Sequence, residues 1–162
     1  MSNKKITKDA LTDKELSWLQ LQRGLACELV KIFYNPAFIE PVVIEQLHGT
    51  YDAYLKHFLN PPRKGFLRKK SLTIDPNAFV LSIGVALGDC IVAQTTLEWM
   101  IITDDYGTDM GLYAAGKPDQ YSDIVTHPMN MVAKRLENRT SGWIIDTYSS
   151  LLAEIQRMQD DV

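Results

Sequence analysis

The sequence predicts an α+β protein: an N-terminal helical hairpin, a buried central helix packed on a small three- to four-stranded antiparallel sheet, and a C-terminal helix. Three observations lead there. The run from Asp75 to Val92 is too long for one strand and apolar on nearly every side. Helical periodicity precedes it between residues 12 and 59. Short stretches rich in β-branched and aromatic residues, separated by Gly, Pro and Asp turn signals, follow it.

Residues 1–10 are polar and expected to be disordered. Thr12 and Glu15 form a capping box that opens the first helix, with Leu11 and Leu16 placed for a hydrophobic staple. Leu21, Leu25, Leu29 and Ile32, beside Trp18, Ala26 and Phe33, read as its apolar face, and Asn35-Pro36 ends it. A second helix from Pro41 to Leu59 carries Val43, Leu47, Tyr51, Tyr54, Leu55 and Phe58 on its inner side. The central helix has Asp75 as N-cap and Pro76 at its first position, where a missing N–H costs nothing. Gly84 and Gly88 each cost about 1 kcal/mol against alanine in a helix interior, so close approach of another backbone is expected there. Leu97–Thr103 and Thr108–Ala114 read as a strand pair joined by the turn Asp104-Asp105-Tyr106-Gly107. Ser122–Thr126 is a third short strand, Met129–Glu137 a helix and Trp143–Ile145 an edge strand. Asp146 caps a last helix that runs to about Met158.

With 162 residues, 46% hydrophobic and 23% charged, the chain can bury one good core. The chain is expected to divide into a helical hairpin extension over residues 1–60, a basic linker over 61–74 and an α+β domain over 75–162, together one compact unit. The net charge of -3 is unevenly spread. Residues 61–70 carry five basic residues and no acid, whereas residues 71–162 carry five basic against thirteen acidic ones. No signal peptide or membrane span is legible, and Cys27 and Cys90 fall on apolar helix faces as reduced thiols would. A cytoplasmic protein is the expectation.

The chemistry-bearing residues do not assemble into a catalytic motif. Glu45-x-x-His48 has the one-turn spacing of a di-iron ligand pair but lacks the second pair such a site requires. His57 and His127 have no partner at ligand spacing, so no metal and no cofactor are expected. Neither a nucleophile elbow nor a phosphate-binding loop is present. Asp89, a carboxylate on the apolar central helix, is costly unless paired. It reads as a structural anchor bonded to a backbone N–H, Lys134 or Arg135, with a general base as the alternative. Asp104, Asp105, Asp109, Asp119 and Asp123, interleaved with Tyr106, Tyr113 and Tyr121, form an acidic hairpin and loop. Carboxylates around tyrosine anchors fit a surface that meets a basic protein partner.

Gly84-Val-Ala-Leu-Gly-Asp89, Leu97-Glu-Trp99, Asp104-Asp-Tyr-Gly-Thr-Asp109 and Pro128-Met-Asn-Met-Val-Ala-Lys-Arg135 stand in an order that resembles the bacterial family of domain of unknown function 3806. The resemblance covers roughly residues 75–158. It implies the α+β arrangement and a bacterial source, and transfers no catalytic residues. The functional expectation is a non-enzymatic protein-binding protein, most concretely an immunity protein that covers the basic active site of a toxin. Alternatives are a hydrolase that uses Asp89 or the acidic loop, and an RNA-associated protein that uses residues 63–70.

Overall fold

A computed structural model describes residues 6–34, 40–59, 74–116 and 122–160. In chain order its elements are β1 (Thr7–Asp9), α1 (Asp13–Phe33), α2 (Ile44–Leu59), α3 (Pro76–Val92), β2 (Glu98–Asp104), β3 (Gly107–Ala114), β4 (Ile124–Thr126), α4 (Pro128–Glu137) and α5 (Ile144–Asp160). The four strands form one antiparallel sheet in the order β1-β2-β3-β4. Among the described residues, five helices and this sheet make the predicted α+β fold. The basic stretch 63–70 and Asn35-Pro36 lie outside the described residues.

Local signals place α1 and α3 where the sequence put them. Thr12 Oγ1 accepts from the Glu15 N–H while Glu15 Oε2 accepts from the Thr12 N–H at 2.7 Å, and this capping box holds the Glu15 carboxyl below its ordinary pKa. Asp75 Oδ2 accepts from the Ala78 N–H at 2.9 Å with Pro76 in the first helical position. Over residues 82–88 α3 is buried on all sides because α1, α2 and α4 pack around it and β2 closes the remainder. Its two glycines serve that enclosure differently. A Cβ on Gly84 would stand 2.5 Å from the Met129 Cα, so α4 approaches backbone to backbone as expected. A Cβ on Gly88 would stand 2.2 Å from Trp99 Cζ2, so there the space is taken by a ring from β2 and not by a backbone.

The core draws on both sides of residues 60–73. Tyr54 of α2 stacks on Phe79 of α3 with ring centroids 3.6 Å apart, and Tyr51 meets Trp143 edge to face at 5.6 Å. Leu29 and Val30 of α1 and Ile155 of α5 join the same cluster.

The structure departs from the sequence-based expectation in α1, at residues 7–9 and at the start of α5. The core face of α1 is Leu19, Gln22, Ala26, Leu29 and Val30, whereas Leu21, Leu25 and Ile32 face solvent. Gln22 is the reason a purely apolar stripe mis-phases the helix: its amide is buried against the Ser82 hydroxyl of α3 at 3.0 Å. The proposed staple does not form, since Leu11 packs toward Leu19, Val85 and Met129 while Leu16 is exposed. Residues 7–9 are ordered as β1, because pairing with Ile101, Ile102 and Thr103 supplies what their own polar sequence does not. Trp143–Ile145 is not an edge strand. Ile144 opens α5, and Ile144, Tyr148, Leu151, Ile155 and Met158 recur at the three-and-four spacing of a helix packed on the core.

Candidate functional site

The β2–β3 turn is built by its own aspartate. Asp104 pairs with Gly107 across the hairpin, leaving Asp105 and Tyr106 as the two turn residues. Asp104 Oδ1 accepts from the Tyr106 N–H at 2.7 Å, a local bond that favours the turn over continued strand. Gly107 at φ +136° takes a conformation that L side chains rarely adopt. Thr103 and Thr108 clamp the base of the turn through a 2.8 Å contact between their hydroxyls. Tyr106 is 88% exposed at the tip.

Asp109 connects this tip to α4. Its Oδ1 accepts from the Met110 N–H at 2.8 Å and its Oδ2 from Asn130 Nδ2 at 2.9 Å. His127, the residue before Pro128, places Nδ1 3.9 Å from the same oxygen, too far for a hydrogen bond but close enough for an ion pair when the ring is protonated. That Nδ1 is buried without a hydrogen-bond partner among the described residues. Gly111 makes the approach possible, since a Cβ there would lie 2.8 Å from it. Asp104, Tyr106, Thr108, Asp109, His127 and Asn130, with Ile102 and Gly107, line an open cleft of about 410 Å³.

The other predicted partner-binding residues do not join that cleft. Tyr113 lies on β3 at the end remote from the turn, six residues from Gly107 or about 20 Å along the strand. It is buried, not an exposed anchor. Its hydroxyl donates to Asp123 Oδ2 at 2.8 Å, and the Gly116 N–H donates to Asp123 Oδ1 at 2.9 Å. These bonds, the backbone one first, hold the Asp123 carboxyl below its usual pKa. Lys8 of β1 lies against the Tyr113 hydroxyl and stands 3.9 Å from its ring centroid. Tyr113, Asp123 and Lys8 therefore form an internal clasp between β1 and the loop before β4. Asp119 and Tyr121 lie outside the described residues.

Asp89 is half-buried and doubly held. Arg23 of α1 donates through Nε to Oδ2 at 2.7 Å and through a terminal nitrogen to Oδ1 at 2.9 Å. Trp99 Nε1 donates to Oδ1 at 3.0 Å. The hydrogen bonds to Asp89 raise the Arg23 pKa further. The expected partners Lys134 and Arg135 are not the ones used: Arg135 instead places its guanidinium 5.7 Å from the Trp143 ring centroid. Spacing along the chain cannot reveal Arg23, which comes from a helix 66 residues away.

The remaining candidates stay apart. His48 Nε2 faces Asp52 at 3.7 Å, and among the described residues no three His, Cys, Asp or Glu side chains converge in a metal-binding group. Cys27 and Cys90 are free thiols whose pKa is raised first by burial, Cys90 to about 12. Neither is a thiolate near neutral pH. Among the described residues no helix is long and apolar enough to cross a membrane.

The buried α3, the β2–β3 hairpin and the α4 approach to it all fall within one matched segment. The family model described as domain of unknown function (DUF3806) matches residues 68–148, half of the chain. The chain belongs to the DUF3806 family. The matched DUF3806 segment carries the Asp89 anchor, the acidic turn and the His127–Asn130 cleft, whereas β1, α1 and α2 precede it. No curated protein and no solved structure matches the chain.

Proposed function

We propose that this DUF3806 protein works by binding another protein through the tip of its β2–β3 hairpin. The observation that carries this reading is the exposed Tyr106, flanked by Asp104, Asp105 and Asp109 on a turn held by its own hydrogen bonds. A large amphipathic side chain on a fixed turn binds at low entropic cost, and the surrounding carboxylates select a basic partner and speed its encounter. The cleft beside the tip offers the partner a recess of mixed polar and apolar lining. In its most concrete form the partner is a toxin in the bacterial cytoplasm, and this protein is the immunity protein that covers its basic active site.

Enzymatic use of Asp89 is disfavoured by its bonding. Both of its oxygens accept from Arg23 or Trp99, so a general base there would first have to give up an anchor between α1, α3 and β2.

Asp104 and Asp109 also build the turn, so Asp105 is the cleaner position for charge reversal. The test is co-purification from the source cell, followed by measurement of affinity for the captured partner at several salt concentrations. Asp105→Lys combined with Tyr106→Ala is expected to weaken binding at least tenfold, about 1.4 kcal/mol, with the salt dependence reduced. Unchanged affinity in a folded double variant would exclude the tip as the binding surface.

A further inference from the structure

His127 occupies the N-cap of α4 but makes no side-chain capping bond. Its ring lies over Gly111 of β3, where Nδ1 is buried with no hydrogen-bond partner among the described residues. A neutral imidazole carries either a donor or an acceptor at that atom, and as the ring stands each is left unpaired. The nearest acid is Asp109, whose Oδ2 is 3.9 Å away. Protonation puts a donor on Nδ1 whichever tautomer came before, and adds the charge that draws ring and carboxylate together. A charge-assisted bond of this kind spans about 2.8 Å, so a shift of about 1 Å closes it.

The surroundings can hold that charge. From β3 the ring faces Asp109, from β2 and the turn it faces Asp104 and Tyr106 across the cleft, and from α4 the uncharged Asn130. Lys8 of β1 is turned to the Tyr113 ring instead. Two carboxylates and no base therefore line the cleft, and the His127 side chain keeps 27% of its surface in solvent.

We infer that Asp109 and His127 form a proton-driven latch: in mild acid the charged ring pairs with Asp109, ties α4 to β3 beside the hairpin tip, and offsets one of the three carboxylate charges that Asp104, Asp105 and Asp109 present to a basic partner. Imidazole changes charge between about pH 5 and pH 8, so the partner is held at neutral and slightly alkaline pH and released in mild acid. The opposing effect, a better-ordered tip, adds little. The turn is already fixed by the Asp104 bond to the Tyr106 N–H and by the Thr103–Thr108 contact. The release of a partner rests on the binding function proposed for the tip, whereas the latch itself does not.

Urea unfolding of the full chain at about pH 6 and about pH 8, followed by far-UV circular dichroism, tests the latch without a partner. The wild type is compared with Asp109→Asn, His127→Gln and the two combined. Asp109 is ionised at both pH values, so its bonds to Met110 and Asn130 contribute equally at each and cancel from the comparison. At the lower pH the two changes should couple, with the combined shift in urea midpoint falling short of the sum by about 0.2–0.5 M, and at the higher pH the coupling should vanish. If His127→Gln does not fold, the gap between wild type and Asp109→Asn still decides, since it should widen toward the lower pH. A gap or coupling of the same size at both pH values overturns the latch. With the partner captured by co-purification, affinity should fall about three- to tenfold from the higher pH to the lower, and the His127→Gln protein should lose that drop. An equal drop in both proteins overturns the release by acid. Unchanged affinity on Asp105→Lys with Tyr106→Ala instead strikes the binding reading and leaves the coupling between Asp109 and His127 standing.

Discussion

Replacing Asp89 by alanine removes the acceptor that holds α1, α3 and β2 together at one point. The pair with Arg23 is bidentate at 2.7 and 2.9 Å, which favours a real contribution. Its side chains are nonetheless 37% and 32% exposed, so solvent screens it. Its loss should fall well below the 3–5 kcal/mol of a fully buried pair and near the upper end of surface pairs, about 1–1.5 kcal/mol. The indole N–H of Trp99, donated at 3.0 Å, loses its acceptor as well, adding about 1 kcal/mol. The combined loss of about 2–2.5 kcal/mol corresponds to a fall of about 4–10 °C in Tm for a chain of this size. Thermal unfolding followed by circular dichroism measures it. A cycle with Arg23→Ala should show coupling of about 1 kcal/mol or more, because each single change already breaks the pair. A Tm drop under about 2 °C, or strict additivity with Arg23→Ala, would refute the anchor.

Three further outcomes follow from the packing and the titratable groups. Gly84→Ala should destabilise by about 1–3 kcal/mol despite better helix propensity, because the new methyl meets the α4 backbone at 2.5 Å and α4 cannot turn aside as a flexible side chain can; urea unfolding at constant m-value checks this. The Asp123 carboxyl has a lowered folded pKa, so its bonds to Gly116 and Tyr113 stabilise fully above the unfolded value of about 4 and are lost as pH falls through the folded one. The stability gap between wild type and Asp123→Asn should therefore be constant near neutrality and close in that acid window; a gap that widens toward low pH has the wrong sign. The Cys90 thiol, pushed up to about 12, should react with iodoacetamide at pH 8 far more slowly than the same thiol in the urea-unfolded chain. Equal rates in the native and unfolded states would contradict that.

What could be read in the sequence was what neighbouring residues decide among themselves. Thr12 with Glu15, Asp75 with Pro76, and Asp104 with Gly107 each carry their structural reason within three positions, and all three appear where expected. Long-range partners were not legible. β1 exists because β2 offers an edge to Thr7–Asp9, and no local preference announces it. The phase of α1 depends on Gln22, a polar residue that joins the core only because Ser82 arrives opposite it. The acidic residues split in the same way. Those within the turn stay together, while Tyr113 and Asp123 are carried to the far end of β3 and taken up by Lys8. His127 and Asn130 belong to the cleft only because Gly84 lets α4 settle against α3 and Gly111 gives His127 room beside the sheet.

Trp99 has a consequence for how the chain avoids a wrong answer. A strand slipped by one residue turns every side chain to the opposite face. Moved by one position against α3, β2 would present Glu98 or Met100 to Gly88 and Asp89 in place of the indole. Glu98 would set a carboxylate against a carboxylate, and Met100 would bring no donor at all. One ring that fits over a glycine and one N–H that meets an acid thus act as a proofreading step, which accepts a single alignment of the sheet on its central helix.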